Sequence, residues 1–445
     1  MKLAINGGKM VTTNPFPHQL SINWQEIDVV KQLMEKAALG EVNLSSFRGN
    51  WSQESPGFYG GEWVQKLERK WEKYFNIKKA ISVNSCTSAL QIACGAIGLA
   101  PGDEVIVTPW SMSCSATAPL LWNAIPIFAD INPVTYCLDP DSIKEKITKK
   151  TKAIIVVDLF GQPADYDKIK EIANDYGLYI IEDAAQAIGS KYKDKYTGTL
   201  GDIGCFSFTQ GKHLTAGEGG MIVTDNEVLA LRCQMIRNHA EAVNNDMGSD
   251  RYNLDFGFSP HNNMLGFNMR MTEIQAAILY YQLDKLKDFI YRRIINVEKI
   301  WEGIKRIPLL LGTFIPPDNT HSYYVHTMRY IQEESRIHRD LFIKAVAAEL
   351  PGEKGRPDKP MLGCGYIKPL YLFPLFDHTL LYGQTFYPWK DSKRIYRKGI
   401  CPVTENLWKN TLFTNMYHSL PLDDLQIQYI IDAFWKVYNN IEELK

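Results

Sequence analysis

Lys212 sits between an apolar run, 203–208, and a glycine-rich turn, Gly217-Glu218-Gly219-Gly220, that opens a second apolar run, 221–223. Ser207 stands near the end of the first run. An amine on a tight turn after a strand has little freedom. In dry surroundings its ammonium form is disfavoured and the free amine is nucleophilic, which is what holding an aldehyde as a Schiff base requires. A second reactive candidate is Asp183, in Ile181-Glu182-Asp183-Ala184-Ala185-Gln186, at the end of another apolar run. A carboxylate there is costly to bury unless it meets a cation. A third is Asn84-Ser85-Cys86-Thr87-Ser88, small residues opening a helix. Free amides and the positive end of a helix dipole at such a start cradle a phosphate. Singly, each has a plainer reading: Lys212 as an exposed loop lysine, Asp183 and Ser85 or Thr87 as helix caps.

The elements that must position these groups alternate. Apolar runs at 80–83, 105–107, 125–128, 153–157 and 178–181 precede the two around Lys212, and helical patterns at 89–97, 143–147 and 166–176 separate them. Strands alternating with helices at this spacing predict an α/β fold around a largely parallel sheet. Ligands in such folds sit beyond the carboxyl ends of the strands. Before the sheet, 24–39 reads as a helix with Ile27, Val30, Leu33 and Met34 on one side, and 63–75 as an amphipathic one. Between them 45–61, with Arg48, Trp51, Phe58 and Tyr59, is either a plain surface loop or an arm over a site. After the sheet come a helix at 229–242, a polar loop at 243–263, and a long helix that starts in 266–277 and reaches about 303. A smaller α/β unit follows, with a strand at 323–331, a helix at 337–350 and a loop at 363–375. The aromatics of 366–376 line a pocket or fill a core, and the core is the better reading. The expected division is 1–290 for the large domain and 291–445 for the small one.

Composition narrows the function. A net charge of -1 gives no field that would gather nucleic acid or an anionic membrane. No apolar run is long enough to span a bilayer, and the start carries no apolar signal segment. The eight cysteines form no Cys-x-x-Cys pair, so neither a zinc site nor any other metal is expected. Free thiols in a reducing cytoplasm account for them. No Gly-x-Gly-x-x-Gly follows the first strand, against a nicotinamide dehydrogenase.

In combination the motifs resemble the DegT/DnrJ/EryC1/StrS aminotransferases, from about Leu3 to Leu422. Ser207, Lys212 and Gly217-Glu218-Gly219-Gly220 match the family's lysine stretch; Ser85-Cys86-Thr87 match its phosphate site, with Cys86 where glycine is usual. Asp183 and Gln186 match its Glu-Asp-Ala-Ala-Gln/His, and Asn268-Met269-Arg270-Met271 its Asn-x-Arg-Met. Arg237-Asn238-His239 matches Arg-x-His, with Ala240 replacing a glycine. The resemblance implies an aspartate-aminotransferase-like fold, the type I fold of pyridoxal-phosphate transferases. It makes Lys212 the residue that carries pyridoxal 5'-phosphate and shuttles protons, and Asp183 the partner of its ring nitrogen. Gln186 would neighbour the cofactor's phenolic oxygen. Ser85, Cys86, Thr87 and Ser207 would hold the phosphate, joined by Asn268 from the other subunit of a homodimer. Met112 falls where the family stacks an aromatic on the cofactor ring, with Trp110 two residues earlier as the alternative. The implied reaction moves an amino group from glutamate or glutamine to a keto-sugar, in amino-sugar or polysaccharide biosynthesis in the cytoplasm. A cyclitol aminotransferase acting on an inosose-like ketone is the alternative. A lysine at 212 argues against the offshoot that has histidine there and performs dehydration.

Overall fold

The computed structural model describes residues 2–19, 21–45, 60–240, 265–377, 387–389 and 396–445. Arg48, Trp51, Phe58 and Tyr59 of the expected arm, and the loop expected at 243–263, lie outside them. The apolar runs become β1 (Lys79–Val83), β2 (Glu104–Val107), β3 (Ile125–Phe128), β4 (Thr151–Val157) and β5 (Tyr179–Asp183). After a short hairpin, β6 (Lys191–Tyr192) and β7 (Lys195–Tyr196), come β8 (Ile203–Ser207) and β9 (Gly220–Thr224). The main sheet has the order β1-β9-β8-β5-β4-β2-β3. β9 alone is reversed, pairing antiparallel with both β8 and β1, while β8, β5, β4, β2 and β3 pair in parallel. Strands covered on both faces read as continuous apolar runs, which is why alternation is missing from them. All carboxyl ends except that of β9 therefore meet along one edge.

The helices up to the sheet's last strand and just after it are α1 (Trp24–Ala38), α2 (Glu62–Phe75), α3 (Cys86–Ala96), α4 (Cys114–Thr117), α5 (Pro140–Lys146), α6 (Tyr166–Tyr176) and α7 (Glu227–Arg237). The long helix expected up to about 303 is broken. It forms α8 (Glu273–Gln282), a 3-10 turn at Leu283–Lys285, and α9 (Leu286–Ile304). At the break, Gln282 and Lys285 both reach Glu26 of α1, which is buried. α1 is also rotated from its expected orientation. Glu26, Val29 and Leu33 are buried, whereas Ile27 and Met34 are exposed along with Trp24. The buried side still carries apolar contact, Val29 and Leu33 packing with Ala277 of α8, so the stripe is shifted rather than lost.

A second sheet, order β10-β12-β14-β13, is antiparallel throughout. Its strands are β10 (Leu310–Leu311), β12 (His326–Tyr330), β13 (Leu362–Cys364) and β14 (Leu412–Asn415), while β11 (Asn319–Thr320) adds to β6 instead. The strand expected from 323 begins only at His326, because Tyr323 has φ 49° and turns the chain. The helix α10 (Arg339–Ala348) and the helix Asp424–Asn439 pack on this sheet. Core membership does not follow the boundary expected at 290. Leu3 and Phe16 lie in the second core with Phe413 and Tyr417, and Tyr371, Phe376 and Tyr396 lie in the first with Phe128. The core reading of those aromatics thus applies to Tyr371 and Phe376.

Candidate active site

The carboxyl ends of β1, β8 and β5 lie side by side, because β9 starts between the first two. Gly220 of β9 is paired with Val83 on one side and Ser207 on the other. It has to be glycine: a Cβ there would sit 2.6 Å from the Ser85 carbonyl carbon and 2.7 Å from the Cys86 nitrogen. The bare backbone thus draws the lysine stretch against the start of α3. Ser85 caps that helix, its Oγ accepting the Ser88 amide at 3.1 Å. The Cys86 and Thr87 amides, first in the helix, have no intrahelical acceptor and remain for an anion.

Lys212 follows β8 on a turn made by Gly211, φ 94°, and its amide donates to the Thr209 carbonyl at 3.1 Å. The side chain is buried. Its ammonium lies over the Tyr324 ring, 4.1 Å from the centroid. Asp183, also buried, closes β5. Its Oδ2 accepts the Ser115 hydroxyl at 2.7 Å and its Oδ1 the Ala185 amide at 3.2 Å. Burial pushes this carboxyl above its ordinary range, while the hydrogen bonds from Ser115 and Ala185 and the Lys212 charge pull it back. Among the described residues no lysine, arginine or histidine is ion-paired to it. A buried acid without a cation is a costly arrangement unless a ligand brings one.

Gln186 is oriented by a strained turn. Phe160, just after β4, has φ 62° and donates its amide to Gln186 Oε1 at 2.9 Å. With its oxygen so engaged, Gln186 presents its NH2 group, which donates to the Tyr366 hydroxyl at 3.3 Å. Tyr366 packs edge-on against Phe160 and Trp110. Burial raises its phenol well above the usual value, so it stays protonated.

The two ring-stacking alternatives differ in burial. Trp110 is fully buried and donates its indole N–H to the Ile367 carbonyl at 2.6 Å, as a core residue does. Met112 is 54% exposed at the edge of the strand ends. Ser207 is buried at the end of β8. Asn268 is exposed, bridged to Asn238, and followed by Met269, whose carbonyl accepts the Asn84 amide at 2.9 Å. Lys212, Asp183, Cys86 and Gln186 are thus gathered at one sheet edge, with Asn268 on the surface beside β1. Sequence reasoning passed over Ser115, Phe160 and Tyr324. Ser115 had a local signal, the Ser111/Ser115 spacing of a helical turn just after β2; Tyr324 had none.

The sequence model of the DegT/DnrJ/EryC1/StrS aminotransferase family matches residues 48–355. The chain belongs to that family. Over 233 residues, 52% of this chain and 60% of the relative, it is 41% identical to GDP-perosamine synthase of Escherichia coli O157:H7. Over 437 residues, 98% of this chain and 96% of the relative, it is 29% identical to L-glutamine:2-deoxy-scyllo-inosose aminotransferase of Streptomyces kanamyceticus. Among solved structures it resembles an aminotransferase from Psychrobacter cryohalolentis, with 27% identity, a TM-score of 0.78, and 96% and 100% of the two chains covered. The DegT/DnrJ/EryC1/StrS enzymes are pyridoxal-phosphate transaminases of the type I fold. The residues present fit that cofactor: helix-start amides where its phosphate would lie, a buried acid with no ion pair among the described residues for a cationic ring nitrogen, and a buried amine for its aldehyde. No helix among the described residues is long and apolar enough to cross a membrane.

Proposed function

We propose that this chain aminates a nucleotide-linked keto-sugar, with glutamate or glutamine as donor. The observation that carries the catalytic part is the burial of Lys212 and Asp183 at one strand edge beside the open start of α3. The identity of 41% to a protein named GDP-perosamine synthase supports the nucleotide-sugar part. Pyridoxal phosphate, when bound, supplies an electron sink for a carbanion. The protein's share is placement and proton handling. The α3 amides of Cys86 and Thr87, with Ser85 and Ser207, would hold the phosphate. The Asp183 carboxylate favours a cationic ring nitrogen by charge. Gln186, its oxygen tied to Phe160, aims an N–H donor at the phenolic oxygen. Met112 would cover one ring face. The Lys212 amine accepts and returns the proton that moves between donor and cofactor carbons.

A second subunit completes the proposal. Asn268 is exposed beside β1 and free to project toward a neighbour, and α1 leaves Trp24, Ile27 and Met34 uncovered. An isologous homodimer in which Asn268 of each protomer reaches the other's phosphate accounts for both. The cytoplasm is the compartment that suits eight free thiols.

The cyclitol alternative has its own support in the 98% coverage by an inosose aminotransferase. Reverse amination of nucleotide-linked ketosugars and of inososes, assayed in parallel, separates them. Turnover of a nucleotide-linked ketosugar is expected; turnover of an inosose alone overturns the first reading.

A further inference from the structure

The two oxygens of Asp183 have unequal neighbours. Oδ2 takes a short bond, 2.7 Å, from the Ser115 hydroxyl. Oδ1 has only longer contacts, the Ala185 amide at 3.2 Å and the Cys86 thiol at 4.0 Å. Ser115 comes from α4, which follows β2, and β2 and β5 flank β4 in the sheet. The hydroxyl therefore reaches across the end of a strand to meet the acid. Behind it stands a second hydroxyl: Ser111 Oγ lies 3.1 Å from Ser115 Oγ, and both serines are buried.

The direction of this chain follows from counting protons. An ionised carboxylate only accepts, so Ser115 directs its single proton to Asp183. The Ser115 oxygen is then an acceptor, and Ser111 must be its donor. Hydroxyls in series polarise one another, and a hydroxyl given to a carboxylate favours the charged form. Protonating Asp183 would leave one oxygen still able to accept from Ser115 but would remove the negative charge that meets a cation. Resting on the reading of Asp183 as partner of the ring nitrogen, we propose that Ser115, backed by Ser111, is a positioning residue of the transamination site. It occupies Oδ2 and keeps Asp183 ionised, so that Oδ1 is the oxygen left for the cofactor's cationic nitrogen.

The test uses the full chain loaded with pyridoxal 5'-phosphate, comparing wild type with Ser115→Ala, Ser115→Thr, Ser111→Ala and Asp183→Asn. Cofactor dissociation, the pH course of the visible absorption band, and the split between kcat and KM are read for each. Ser115→Ala should retain cofactor about tenfold more weakly, the effect of one lost bond to a charged group. It should also move the pH course in the direction seen for Asp183→Asn and lower kcat more than it raises KM. Ser115→Thr, which keeps the hydroxyl, should restore all three, and Ser111→Ala should give a smaller shift of the same sign. If Ser115→Ala does not fold, the Ser111→Ala and Ser115→Thr profiles carry the test. The inference is overturned if Ser115→Ala, or Ser111→Ala where Ser115→Ala does not fold, titrates and retains cofactor like wild type while Asp183→Asn does not. If Asp183→Asn also matches wild type, the reading of Asp183 itself is wrong and the inference falls with it.

Discussion

The Lys212 ammonium lies 4.1 Å from the centre of the Tyr324 ring, although the two residues come from different sheets' surroundings. The contact is built by the turn after β4. Gly161 accepts the Ser322 amide at 3.1 Å, and Phe160 the Val325 amide at 3.2 Å. A Cβ at Gly161 would lie 2.8 Å from the Ser322 Oγ and the Tyr323 nitrogen, so only glycine admits the segment. The turn that orients Gln186 thus also sets the ring over Lys212. A sheltered cation over an aromatic face gains about 1–2 kcal/mol. Tyr324→Leu should therefore cost the cofactor-free protein about 1 kcal/mol in urea unfolding, and Tyr324→Phe much less. Equal losses in both variants would assign the effect to the hydroxyl.

Lys212 is the expected point of covalent attachment. Borohydride treatment of the loaded protein should leave the cofactor on the peptide containing Lys212, identified by mass spectrometry. Lys212→Ala should trap none and lose at least about 10³-fold in turnover, since both nucleophile and proton carrier disappear. A trapped peptide from another part of the chain would refute the assignment.

Behind Asp183 a second acid pair makes stability pH-dependent. Asp158 and Glu182 are both fully buried. Glu182 accepts the amides of Gly198, Leu200 and Gly201, and Asp158 accepts the Ala164 amide and the Tyr166 hydroxyl. Burial first, and the Glu182 charge second, push the Asp158 carboxyl well above its ordinary 3.8. The folded chain then holds a proton that the unfolded chain releases near pH 4. Stability from this group is complete below that value and declines as pH rises toward the raised folded value. Asp158→Asn, with an amide that can donate to Glu182, should flatten this decline in denaturant midpoints measured from pH 4 to 8. An unchanged slope would locate the proton elsewhere.

Ala240 holds φ 62° where the family's motif has glycine, just after the Arg237-Asn238-His239 stretch. Its amide donates to the Met235 carbonyl at 2.8 Å, closing α7 in the left-handed conformation. A side chain there costs about 1 kcal/mol relative to glycine. Ala240→Gly should raise the unfolding free energy by about that amount, less the extra freedom of the unfolded chain. A loss of stability would mean that the alanine methyl makes a compensating contact.

The pair of buried Arg237 and half-buried Glu68 offers a contrast. Arg237 donates to Glu68 Oε1 at 3.1 Å and to the Ser82 carbonyl at 2.8 Å, tying α7 and α2 to β1. Removing one partner of such a pair strands the other charge. Glu68→Ala should cost about 3–5 kcal/mol, read from the shift in urea midpoint. A loss under 1 kcal/mol would show that water reaches the guanidinium.

Local patterns in the sequence determined the alternation of strands and helices, the parallel sheet, and the residue types from 84 to 88, at 183 and at 212 that sit at strand ends. These are legible because a strand buried on both faces must be apolar throughout, and because glycine and capping residues mark where each element stops. The tertiary structure decided what chain neighbours could not. It put Ser115 on Asp183, Phe160 on Gln186 and Tyr324 on Lys212, pairs separated by many residues and joined only when strand order and the 159–161 turn bring them together. It also turned Glu26 and Val29 inward beside Leu33 and left Ile27 and Met34 exposed, because α1 docks through Val29 and Leu33 on Ala277 with Glu26 held by Gln282 and Lys285. Periodicity reports which residues can share a face; only packing selects the face that is covered.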